Sequence, residues 1–135
     1  MELDNLYELA ERENIDICNY KMNFHKARIM NDNKSRMIFM DYKKINTYKE
    51  EKELLAEELG HYYHSAYYSI CSPKIIIEKA EYRANKWKAL ALVTKSQILD
   101  CYKKGLYTIP EIVEELQVDP STLEFAYNYY FPTGA

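Results

Sequence analysis

Glycine and proline are scarce in this chain of 135 residues, which has three Gly and four Pro. So few turn formers argue against many short strands joined by tight turns and favour long elements with short loops. Cysteine is equally sparse: Cys18, Cys71 and Cys101 are widely spaced and never form Cys-x-x-Cys. That spacing excludes a disulfide framework or a cysteine zinc cage, and the thiols are expected to be reduced and mostly buried. Positive charge is in deficit, with 18 Lys and Arg against 21 Asp and Glu for a net -3. A nucleic-acid binder needs a basic face, so the balance favours a protein or peptide partner and no direct nucleic-acid contact. No run of about 18 apolar residues exists for a membrane span. The start, Met1-Glu2-Leu3-Asp4, also has no basic segment followed by an apolar one. A cytoplasmic protein away from membranes is therefore expected.

What is present is ordinary for a soluble globular chain, 47% hydrophobic and 29% charged. At this length one domain covering 1–135 is expected, large enough to bury a core and too small for two. The 14 Tyr stand out. They read as amphipathic residues at the edge of the core, apolar on the ring and wet at the hydroxyl.

Along the chain, Leu3, Leu6, Tyr7, Leu9 and Ala10 predict an amphipathic helix over about residues 2–13. The runs "IDICNY", "HKARIM" and "RMIFMD" predict two or three antiparallel strands, with the hairpin turn at "NDNKS", residues 31–35. Helix and sheet together occupy 1–45. Thr47-x-x-Glu50 is a capping-box pattern that starts a long helix reaching about residue 66. Ser72 followed by Pro73 starts a second, reaching about residue 93, because Pro at the first helical position sacrifices no hydrogen bond. Thr94-x-x-Gln97, Thr108-x-x-Glu111 and Ser121-x-x-Glu124 divide 94–131 into three short helices. The fold class is α+β, mainly helical, with a small antiparallel N-terminal sheet and a helical C-terminal tail.

The chemistry gathers on the two long helices. The stretch "LLAEELGHYYHS" contains Glu57-Glu58-x-x-His61, one letter from the His-Glu-x-x-His helix of zinc peptidases. In that motif two imidazoles one turn apart bind the metal and the Glu serves as base. At about 100° per residue, Glu57, His61 and His64 fall on one stripe, and Leu55, Leu59, Tyr62 and Ala66 fall opposite. Glu58 lies on the border, where a carboxylate can reach into a cleft as a general base. Gly60 removes a side chain beside His61, which allows a strand or a substrate backbone to approach. A plainer reading makes Glu50, Glu53 and Glu57 one solvated acidic face. The second helix, "EKAEYRANKWKALAL", has an apolar stripe of Ile77, Ala80, Ala84, Trp87 and Ala91 with Glu81 at its edge. Glu81 could thus add a third ligand from a neighbouring helix.

The motifs "LAEELGHYYH" and "EYRANKW" together resemble the ImmA/IrrE metallo-endopeptidases of phages and integrative elements. The resemblance also takes in the "IDI" strand at Ile15 to Ile17 and the helical tail. It implies a zincin-like domain in which Glu58 is the catalytic Glu and His61 and Glu81 are metal ligands. Glu57 then occupies the first ligand position in place of a His. Carboxylate oxygen is an acceptable zinc ligand, but two carboxylates and one imidazole make a zinc site formally neutral, which weakens its Lewis acidity or favours a harder ion such as Mn2+. His64 is the alternative ligand. It stands roughly 10 Å along the axis from Glu57, so the two compete for one ion, and Glu57 is preferred because it holds the motif position.

The implied activity is a zinc-dependent endopeptidase whose substrate is a helix-turn-helix transcriptional repressor of the same mobile element. The alternative is a weak or inactive relative that binds the repressor without cutting it. A third reading arises in the tail, where "EIVEELQV" and "PSTLEFAYNYY" resemble a helix-turn-helix. A recognition helix needs cations for phosphates and Arg, Lys, Asn or Gln near its start for bases, and this segment has no Lys or Arg. It reads better as a packing or partner-docking element.

Overall fold

The computed structural model describes residues 1–32, 34–64 and 72–133. Helix α1 (Leu3–Arg12) buries Leu3, Leu6 and Ala10 along one stripe and has Asp4 in its first turn, where the helix dipole favours negative charge. Strands β1 (Asp16–Asn19), β2 (Ala27–Asn31) and β3 (Arg36–Met40) follow. After one 3-10 turn, Tyr42–Lys44, come the long helices α2 (Tyr48–Tyr63) and α3 (Lys74–Leu92). Helices α4 (Lys95–Lys103), α5 (Ile109–Leu116) and α6 (Pro120–Tyr130) complete the α+β arrangement.

The sheet differs from expectation in one pairing. Strands β2 and β3 form the antiparallel hairpin, with Ile29 opposite Ile38, and Asp32 Oδ1 organises its turn by accepting from the N–H groups of Lys34 and Ser35, each at 2.7 Å. Strand β1, however, adds to the far side of β3 and runs parallel to it, so the order is β1-β3-β2 and the sheet is mixed. The other edge of β2 faces α2 across a cleft, where Glu58 takes the Ile29 N–H. The segment from Tyr20 to Lys26 carries the chain across, held by Asp41, whose carboxylate accepts from the Met22 N–H at 3.0 Å.

Helix starts follow the capping signals, with two shifts. Thr47, Thr94 and Thr108 cap α2, α4 and α5 through their side chains. Pro73 sits at the N-cap of α3, so that helix begins one residue later than the Ser72-Pro73 pattern predicts. For α6 the cap is Asp119 with Pro120 as first helical residue, and Ser121 lies inside the helix. Proline at the first helical position, with fixed backbone and no N–H to lose, sets that start. Helix α2 ends at Tyr63, and the remainder of the expected reach to residue 66 lies outside the described residues.

The core forms where α1, the inner sheet face and α2 meet, around Leu6, Ile38, Met40, Leu55 and Leu59, all 0% exposed. Helices α4 to α6 extend it through Ile98, Ile112 and Leu123. Tyrosines border this core as expected: the hydroxyl of Tyr7 donates to Glu51 and that of Tyr130 to the Val93 carbonyl. Cys18 is half-buried and Cys101 buried, both free thiols, and Cys71 lies outside the described residues. Among the described residues no helix is long and apolar enough to cross a membrane.

Candidate metal centre

Helix α2 is anchored by Leu55, Ala56 and Leu59, all fully buried. That anchoring fixes its rotation and turns Glu57 and His61 toward α3. The two helices run antiparallel in close contact at one point. A Cβ on Gly60 would lie 2.6 Å from the Ala84 carbonyl oxygen and 3.0 Å from its Cα. The close neighbour of Gly60 is therefore helix α3, and the strand or substrate expected there is replaced by helix backbone.

This approach brings Glu81 to His61, with Nε2 to Oε1 at 3.5 Å. Glu57, one turn before His61, joins them, and one ligand atom from each of the three lies within 4.8 Å of the others. Two carboxylates and an imidazole so arranged could hold a divalent metal ion. His64 is not brought to this group: it is the exposed C-cap residue of α2. The acidic stripe is also not a solvated face. Glu53 is 5% exposed, His61 8%, and Glu57 is half-buried.

Glu58 points the other way around the helix, toward β2. Its Oε2 accepts from the backbone N–H of Ile29 at 2.8 Å, and the side chain is only 8% exposed. Burial pushes its carboxyl up to about 8, against a lowering by the Ile29 N–H and by Arg28 and with a further rise from Glu57. Burial likewise raises the Glu57 carboxyl, with Lys88 opposing and Glu81 adding to the rise. Glu57, Glu58, His61 and Glu81 all line one cleft of about 540 Å3, whose other wall is formed by β2 and the segment around Phe24.

Sequence reasoning missed the groups that hold α2 in place beyond its apolar face. Glu53 accepts from the Asp119 N–H at 2.9 Å and from the Thr122 hydroxyl at 2.8 Å, and its Oε1 pairs with Lys88 at 3.1 Å. It thus ties the start of α6 to α2 from one turn before Glu57. Lys52, 1% exposed, donates to the Leu116 carbonyl at the end of α5. Lys52 carried a signal, as a charged residue on the apolar side of the helical pattern, whereas Glu53 lies on the acidic stripe with Glu57 and carried none. Among the tyrosines of α2 and α3, Tyr62 donates its hydroxyl to Glu13, Tyr63 stacks on Trp87, and Tyr82 lies against Phe125 and is exposed. Tyr67 and Tyr68 lie outside the described residues.

No family model, no curated protein and no solved structure matches the chain.

Proposed function

We propose that this protein is a metal-dependent endopeptidase with Glu57, His61 and Glu81 as metal ligands and Glu58 as general base. The observation that carries this reading is the convergence of the three donors within 4.8 Å beside a buried fourth carboxylate in the same cleft. Three protein donors suit a catalytic zinc ion, which keeps further coordination open, and Mn2+ suits the oxygen-rich set as well. A divalent ion there would supply Lewis acidity to a scissile carbonyl and acidify water. Glu58 then takes the proton from the attacking water and returns it to the leaving amine. Strand β2 is an edge of the sheet beside Glu58, which supports an extended peptide as substrate.

The pairing of "AEELGH" with "EYRANKW", which resembles the ImmA/IrrE peptidases, extends the reading to a helix-turn-helix repressor of a mobile element as the substrate, in the cytoplasm. The tail helices fit a packing role in this reading, because α6 buries Thr122, Leu123 and Ala126 and its first turn is occupied by Glu53. A second reading rests on Glu57 itself. A neutral site with two carboxylates is a weaker Lewis acid, as in a relative that binds the repressor without cutting it. Metal analysis of the purified protein, then incubation with a repressor encoded beside this gene, separates the two, with Glu58→Gln as control. Cleavage that is lost in Glu58→Gln supports the peptidase. A metal-free protein that leaves the repressor intact with every divalent ion supplied would overturn it.

A further inference from the structure

The outer side of β2 carries chemistry that the metal centre does not use. In the hairpin, Lys26 accepts at its carbonyl from the Asp41 N–H, and the Asp32 N–H donates to the Ser35 carbonyl. The even-numbered residues between them, Arg28 and Met30, are therefore the ones that bond to β3, opposite Phe39 and Met37. The odd-numbered ones, including Ile29, turn their main-chain groups toward the cleft, as the Ile29 bond to Glu58 requires. Side chains alternate in the perpendicular sense. Ala27 and Ile29 point into the core, and Arg28 and Met30 project from the opposite face, both exposed and both lining the cleft.

The Arg28 side chain makes no hydrogen bond or ion pair among the described residues, and its charge is felt by Glu58 only at a distance. Its neighbour Lys26, by contrast, is held by Glu50 at 2.7 Å. Met30 is 58% exposed, and Phe24, on the rim of the same cleft, is 92% exposed. An unpaired guanidinium and an exposed thioether thus stand two residues apart on one face of an edge strand.

We propose that Arg28 and Met30 are specificity-determining residues that select an extended peptide carrying an apolar residue and, two positions later, an acidic one. The inference rests on the peptidase reading and names its substrate class. A peptide laid antiparallel along β2 meets Met30 before Arg28, so the order is apolar, any residue, acidic. The acidic side chain pairs with the Arg28 guanidinium, and the apolar one covers Met30.

The test measures binding apart from cleavage. Fluorescein-labelled, threonine-rich peptides with Leu-Thr-Asp or Leu-Thr-Lys at the centre are titrated by anisotropy into Glu58→Gln protein, which keeps an acceptor for the Ile29 N–H. Cross-strand charge pairs set the scale, and the Asp peptide is expected to bind about fivefold tighter than the Lys peptide. Adding Arg28→Glu should reverse the order, and Arg28→Gln should abolish it. Equal affinity, a preference that survives Arg28→Glu, or no binding of either peptide would overturn the proposal. Hydrolysis of an unfolded generic protein by the wild-type chain, supplied with Zn2+ or Mn2+, reads the peptidase assignment separately. Activity there with no charge preference in binding removes this inference alone.

Discussion

Gly60 and Ala84 touch backbone to backbone, and no side chain fits between them: a Cβ on Gly60 would stand 2.6 Å from the Ala84 carbonyl oxygen. The obstacle is helix backbone, which cannot rotate away. This contact sets the spacing at which His61 and Glu81 meet. Gly60→Ala is expected to cost about 1–3 kcal/mol, the usual price of overpacking, despite alanine's better helix propensity. The same substitution should push Glu81 off His61 and lower metal affinity. Thermal unfolding and a metal titration on one preparation would check both, and an alanine variant with unchanged metal affinity would show that the contact does not set the site.

The ligand set can be checked by exchanging its members. Glu57→His restores a two-imidazole, one-carboxylate set and is expected to bind Zn2+ more tightly, by about tenfold or more, because zinc favours nitrogen donors more than manganese does. His64→Ala should leave zinc affinity within about twofold of wild type, as an exposed C-cap residue outside the donor group does not compete for the ion. Competition against a chromogenic chelator would measure both. Unchanged affinity in Glu57→His would mean that Glu57 is not a ligand.

Glu58 makes the stability of the metal-free protein depend on pH. Its carboxyl rises from an ordinary 4.5 to about 8 in the folded state. Between those values the folded protein holds a proton that the unfolded chain has released, so its stabilising contribution is full below 4.5 and declines as pH rises through 8. The slope is at most about 1.4 kcal/mol per pH unit. Chemical denaturation in a chelator at several pH values should therefore show a fall in stability across this window, and Glu58→Gln should flatten it. A wild-type slope no steeper than that of Glu58→Gln would refute this account of Glu58.

The pair Lys88–Glu53 ties α3 and α6 to α2. Lys88→Met leaves the Glu53 carboxylate at 5% exposure without its cation and is expected to destabilise the fold by about 3 kcal/mol. Glu53→Gln keeps a carbonyl acceptor for the Asp119 N–H and the Thr122 hydroxyl and should cost less. Urea unfolding of the two single variants and the double variant would measure the coupling, and strictly additive effects would mean that the pair contributes nothing of its own.

Much of the fold was legible in the sequence because helix starts are local chemistry. Thr47, Thr94 and Thr108 cap their helices through their own side chains, and the Asp32 turn closes within four residues of chain. The parallel placement of β1 was not legible, since nothing local to a strand of four residues fixes its partner or its direction. The start of α6 was misplaced although its signal was local, because Asp119-Pro120 sets it ahead of the Ser121 box.

The sequence by itself determined which residues could bear chemistry. Glu57 and His61 were apparent from spacing, because one turn of helix places i and i+4 side by side, Glu58 from its border position in the motif, and Glu81 from the edge of the apolar stripe on the second long helix. Tertiary structure alone decided how they divide. The buried Leu55, Ala56 and Leu59 set the rotation of α2, and the Gly60–Ala84 contact set its distance from α3. That rotation sends Glu57 and His61 to Glu81, sends Glu58 to the Ile29 N–H, and leaves His64 in solvent. Helical periodicity ranks residues by angle around one axis, but what each angle faces depends on the neighbouring elements, which only packing of the whole chain supplies.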